Sequence, residues 1–138
     1  MRSFCVALVA LLGTAICGNA TLAGGSFEKA AGEWASVWKS KSGNTISDKL
    51  KFDGSSEMAY IPDTGSIVRF QSAEDNGKWE GQWVESSGTQ RCDTKYQGSH
   101  YWGMVLFQFN ETYNEFVGTW DECGEGKKFE WTGKRVAD

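Results

Sequence analysis

The stretch Lys78-Trp79-Glu80-Gly81-Gln82-Trp83-Val84 constrains the fold more than any other, because it sets two tryptophans four residues apart with a glycine midway. In a helix the two indoles would share a face, but the central glycine would cost about 1 kcal/mol relative to alanine. In a strand, residues 79, 81 and 83 all point to one side. The layout recurs in Phe116-x-Gly118-x-Trp120, in Trp131-x-Gly133-x-Arg135 and, more loosely, in Tyr101-x-Gly103-x-Val105. Large and small residues alternating on one face pack the inside of a small, tightly curved barrel, and glycine also permits the bend. Gly81, Gly118 and Gly133 are therefore expected to be structural, each leaving a gap that a neighbouring aromatic fills. Seven Trp and eight Phe supply the core, each burying about 150–250 Å².

Turn clusters punctuate the chain at Lys41–Asn44, Asp53–Ser56, Asp63–Gly65, Asp75–Gly77, Ser86–Gly88 and Gly124–Gly126. Short aromatic and β-branched runs lie between them. Strands are expected near Trp34–Lys39, Ile46–Phe52, Glu57–Ile61, Ser66–Ser72, Lys78–Glu85, Tyr101–Phe109, Glu115–Glu122 and Lys128–Val136. Turns every 10 to 12 residues or so read as an all-β meander, sandwich or barrel. Asn76-Gly77 is the strongest hairpin signal, predicting a type I′ turn with positive φ at both positions. Only Gly25–Ala31 is left to form a short helical turn.

The chain begins with a positive residue, Arg2, an apolar run from Phe4 to Ile16, and the small-x-small triplet Gly18-Asn19-Ala20. This is the pattern of a secretory signal occupying residues 1–20, or 1–23 if cleavage follows Thr21-Leu22-Ala23. The run is shorter than the roughly 20 residues a spanning helix needs, and Ile16 stands where a lipoprotein signal places a small residue before Cys17. The product, a single domain over residues 24–138, is expected to be secreted or periplasmic and not membrane-spanning. The whole chain carries 14 basic and 18 acidic residues, a net charge of −4, and losing Arg2 makes it more acidic. Nucleic acid is thereby disfavoured as a partner, since phosphate contacts need a basic face.

Of the four cysteines, Cys92 and Cys123 remain after cleavage. Two cysteines in an exported chain are expected to form a disulfide; the competing metal pair lacks CxxC spacing and has only His100 to recruit. If residues 86–99 formed a regular strand, up-and-down order would hold the two cysteines about 20 Å apart. A bridge needs Cα atoms within about 7 Å. Residues 86–99 are therefore expected to form a long loop at the same end as the Asp121–Lys127 turn.

The segment Phe27-Glu28-Lys29-Ala30-Ala31-Gly32-Glu33-Trp34 resembles the opening of the calycin barrels, the lipocalin and avidin superfamily, where a short turn leads into Gly-x-Trp on the first strand. The resemblance implies an eight-stranded calycin-like barrel in which an arginine near the last strand packs over that tryptophan. Arg135 occupies the matching position, which makes Trp34 and Arg135 structural. The biotin-contacting segments of avidin have no counterpart, so biotin is not implied.

No phosphate loop, dinucleotide fingerprint or calcium loop occurs in the sequence, and no cofactor or metal is expected. With one histidine, His100, a nucleophile triad lacks an oriented base. The candidates for ligand contact are Trp79, Trp83, Trp102 and Trp120. The leading expectation is a non-catalytic protein that holds a small apolar or aromatic ligand, or a protein partner, at the loop end of the barrel. One alternative is a carbohydrate-active enzyme or sugar-binding module using tryptophan stacking and the acidic cluster Asp93, Asp121, Glu122 and Glu125. Another is an inhibitor or envelope-structural protein. Asn110-Glu111-Thr112 fits the N-glycosylation pattern and equally suits a hairpin turn.

Overall fold

Eight segments alternate large inward residues with polar outward ones, and in the computed structural model, which describes residues 27–137, each becomes a strand. They are β1 (Gly32–Lys39), β2 (Thr45–Phe52), β3 (Met58–Ile61), β4 (Ser66–Ala73), β5 (Lys78–Glu85), β6 (Tyr101–Phe109), β7 (Glu115–Trp120) and β8 (Phe129–Arg135). All neighbours pair antiparallel in chain order, and β1 pairs with β8 to close the barrel. A helical turn at residues 27–29 precedes β1. The expected leader, with Cys5, Cys17 and both cleavage sites, lies outside the described residues.

Strand parity selects the inward residues, and depth along the barrel divides them into two halves. Toward the end where the chain enters, Trp34, Phe52, Phe70, Trp79, Phe107, Phe109 and Phe116 are buried. Their rings interlock: Phe107 stacks on Phe116 at 4.0 Å between centroids, and Trp34 meets Phe109 edge-on at 5.4 Å. The Phe27 turn covers this end, with Phe27 edge-on to Trp79 at 5.4 Å. The Trp34 indole donates to the Ala30 carbonyl at 2.9 Å, and the Arg135 guanidinium lies 4.8 Å from the Trp34 ring. Arg135 also donates to the carbonyls of Tyr113 (3.0 Å), Ala31 (2.6 Å) and Lys29. The last strand is thereby tied to the first turn through a cation on the buried indole face.

The strand glycines make room, though not always for a ring. A Cβ on Gly133 would run into the Phe116 ring, as the sequence pattern suggests. On Gly81 it would instead meet the backbone of β4, at the Arg69 carbonyl and the Phe70 Cα. The β4–β5 register shifts there, between Phe70 and Ser72. Gly81 therefore permits two backbones to approach at a bulge, which coils the sheet. Gly118 combines both roles, facing the Leu106 carbonyl and the Phe107 ring.

Two details differ from the sequence expectation. The β4–β5 hairpin is not a two-residue type I′ turn, because only Gly77 has positive φ (88°) and Asn76 does not. The Asn76 side chain instead accepts from the Lys78 N–H at 3.1 Å, and the loop closes through Gly77 N–H to the Glu74 carbonyl at 3.0 Å. Strand β7 ends at Trp120 and not at Glu122, because the Asp121 side chain captures the turn that follows.

Candidate functional site

At the opposite end, the connections β1–β2, β3–β4, β5–β6 and β7–β8 surround the mouth of a cavity of about 470 Å³. The origin of the space lies in the inward residues. On β3 and β4 these are Ile61, Ser66 and Val68, too small to reach across to the indoles of Trp38, Trp120 and Trp131; the fourth lining indole, Trp83, is the register partner of Val68 on the neighbouring strand β5. Those four tryptophans form a connected wall: Trp38 meets Trp120 at 5.7 Å, Trp83 meets Trp120 at 6.1 Å, and Trp38 pairs with Trp131 across β1 and β8.

Three of these indoles are held by their N–H groups. Trp38 donates to the Asp48 carboxylate at 3.0 Å, Trp83 to the Asp121 carbonyl at 2.8 Å and Trp120 to the Lys39 carbonyl at 3.0 Å. The fourth, Trp131, is buried, and its N–H has no acceptor among the described residues. Polar groups gather toward the mouth. Glu85 accepts from the Ser66 hydroxyl, which shares a 2.7 Å hydrogen bond with Thr64. Lys41 donates to the Gln90 side chain and lies 3.8 Å from the Glu122 carboxylate. Burial raises the Glu122 carboxyl above its ordinary value; Lys41 opposes this, while Glu85, Glu125 and Asp121 add to it.

The long β5–β6 connection forms one side of the mouth. Cys92 and Cys123 are disulfide-bonded with Cα atoms 5.4 Å apart, so the loop of residues 86–100 and the β7–β8 turn share one end of the barrel. Cys123 sits at φ 58°, inside a turn that Asp121 organises. Asp121 is buried and accepts from the backbone N–H groups of Met104 (2.8 Å), Gly124 (3.1 Å) and Gly126 (3.1 Å). His100 lies at the loop's far edge, its ring hydrogen-bonded to the Cys92 carbonyl at 2.8 Å.

The four tryptophans expected to contact a ligand therefore divide. Trp83 and Trp120 line the cavity. Trp79 belongs to the packed end and is 1% exposed. Trp102 is not among the cavity-lining residues; it donates to the Thr94 carbonyl at 2.9 Å and sits 6.0 Å from the Tyr96 ring. Trp38, Trp131, Glu85 and Lys41 were not among the ligand contacts expected from the sequence. Parity with Trp34 and Ser36 on β1 points Trp38 inward, and the Trp131-x-Gly133 repeat marks Trp131, so both carried a readable signal.

The acidic cluster is likewise divided. Asp121 is committed to backbone donors, Glu122 faces the mouth with its side chain 12% exposed, and Glu125 and Asp93 are exposed. Among the described residues, no grouping of three or more His, Cys, Asp or Glu is placed to hold a metal ion, and no helix is long and apolar enough to cross a membrane. Compared with known proteins, the chain matches no family model, no curated protein and no solved structure, so the functional reading rests on the geometry of the open end.

Proposed function

We propose that this chain is an exported, non-catalytic binding protein of calycin-like build that holds a small, largely apolar ligand in the open half of its barrel. The observation that carries this reading is the 470 Å³ cavity walled by Trp38, Trp83, Trp120 and Trp131. Small-molecule sites occupy about 300–1,000 Å³, are mostly apolar, and carry a few polar groups that orient the occupant. Here the polar groups are Glu85, Ser66 and the Lys41–Glu122 pair. The disulfide supports the reading twice over: it fits an oxidising compartment, and it orders a mouth loop before any ligand arrives, which reduces the entropy lost on binding. The commitment of Asp121 to three backbone donors weighs against acid–base catalysis by the acidic cluster.

Two measurements test this. Tryptophan fluorescence, titrated with the neutral probe N-phenylnaphthylamine, should show saturable binding at one site. Val68→Phe, which places a ring in the cavity, should weaken it by about tenfold or more. An absence of saturable binding, or an unaffected Val68→Phe variant, contradicts the cavity reading. Amino-terminal sequencing of exported protein should begin at Thr21 or Gly24, and an intact Met1 contradicts export by signal cleavage.

A further inference from the structure

Resting on the cavity reading above, we propose that the preferred ligand is an organic cation: an amine whose apolar body fills the indole-walled space and whose ammonium group sits against Glu85.

The wall offers little to an anion or a carbonyl. Indole is a donor only through its N–H, and three of the four N–H groups are already taken by Asp48, the Asp121 carbonyl and the Lys39 carbonyl. The fourth, on Trp131, is buried out of solvent. What these rings retain is π surface, whose negative quadrupole attracts cations, most strongly for tryptophan. The Asp48 carboxylate accepting from Trp38 adds negative charge at that ring's N–H edge.

The charges at the mouth have the same sense. Of the residues lining the cavity, Lys41 is cationic while Glu85 and Glu122 are anionic, giving one net negative charge when all are ionised. Lys41 is 3.8 Å from Glu122 and is also bound to Gln90, so its charge is directed toward Glu122. Glu85 has no cationic partner within 4 Å among the described residues, and its one described side-chain partner is the neutral Ser66 hydroxyl. A carboxylate in a largely apolar pocket favours a cationic counterpart, because its Coulomb interaction is stronger there than in water. Such a site also discriminates by charge: an anionic ligand would face Glu85 without a counter-ion.

Three ligands with one apolar body and different head groups test this: phenylbutylamine, phenylbutanol and phenylbutyrate, each competed against N-phenylnaphthylamine at pH 7. The amine should bind about tenfold or more tighter than the alcohol, and the butyrate weakest. In Glu85→Gln, whose side-chain carbonyl can still accept from Ser66, the preference for amine over alcohol should vanish. Glu122→Gln should reduce it less, because Lys41 offsets that charge. Retention of the near-ultraviolet circular dichroism of the indoles confirms that each variant is folded. Equal binding of all three ligands, tightest binding of the butyrate, or an amine preference surviving in Glu85→Gln overturns the cation proposal while leaving the cavity reading intact. If none of the three binds and N-phenylnaphthylamine does not bind either, both fail.

Discussion

Both halves of the barrel interior are lined by aromatic residues, yet one is filled and the other is not. At the closed end, Trp34, Phe52, Phe70, Trp79, Phe107, Phe109 and Phe116 face one another from six strands, and the Phe27 turn and Arg135 seal the bottom. At the open end four indoles project from β1, β5, β7 and β8, while β3 and β4 contribute only Ile61, Ser66 and Val68. The difference lies in the size of the residues that β3 and β4 add to each half: Phe70 at the closed end, but Ile61, Ser66 and Val68 at the open one. Tryptophan abundance thus says where large side chains point, and the small residues across from them say whether a cavity remains.

Matched truncations should give the largest contrast. Trp34→Ala removes a fully buried indole packed against three other rings and should destabilise by about 3–5 kcal/mol. Trp38→Ala, at a half-buried position beside the cavity, should cost about 1–2 kcal/mol because less area leaves the core. Chemical denaturation of both variants checks this, and equal losses would mean that the open half is packed as tightly as the closed one.

The disulfide distinguishes the halves through order. The bridge spans a sequence separation of 31, for which chain-entropy reasoning gives about 3–4 kcal/mol. Replacing Cys92→Ser together with Cys123→Ser should lower stability by roughly that amount. Hydrogen exchange in the double variant should accelerate first in residues 86–100 and last around Trp34 and Phe107. Uniform acceleration would remove the distinction between a pinned mouth and an independently packed base.

The smallest effect concerns pH, with opposite signs at the two ends. Asp53, in the β2–β3 turn at the closed end, is held below its ordinary value by the Ser55 hydroxyl, the Ser55 backbone N–H and the Ser56 hydroxyl. Its contribution is present above the ordinary carboxylate range and is lost as pH falls through the lowered folded value. Glu122, at the open end, is raised by burial. The folded state therefore binds its proton more tightly than the unfolded state does, and stability declines as pH rises from the ordinary range through the raised value. Thermal melts should show Glu122→Gln flattening that decline and Asp53→Asn flattening the acid-side loss. Similar changes from both substitutions would mean that the mouth is not desolvated.

Much of the fold was legible in the sequence because the determining patterns are local. Two-residue alternation placed eight strands, and the need to bring Cys92 to Cys123 turned residues 86–99 into a loop at the correct end. The resemblance at Gly32-Glu33-Trp34 placed Arg135 over Trp34, where the guanidinium lies. The role of Gly81 was not legible, since its clash is with the β4 backbone at a bulge and depends on inter-strand register. Nor was the site itself: Lys41, Glu85 and Glu122 come from three connections or strand ends, and only closure of the barrel brings them to one mouth. Trp79 and Trp83 show the limit most clearly. They share one strand face four residues apart, yet one is core and the other lines the cavity, because depth along the barrel decides between them.

The central claim is that the open half admits a ligand while the closed half does not, and the seven indole N–H resonances report it directly. In an ¹⁵N-correlated NMR titration with N-phenylnaphthylamine, the signals of Trp38, Trp83, Trp120 and Trp131 should shift together and saturate. Those of Trp34 and Trp79 in the packed end, and of Trp102 beside Thr94, should stay in place. Shifts confined to Trp102, shifts that include Trp34 and Trp79 equally, or no saturable shift at all would contradict the account.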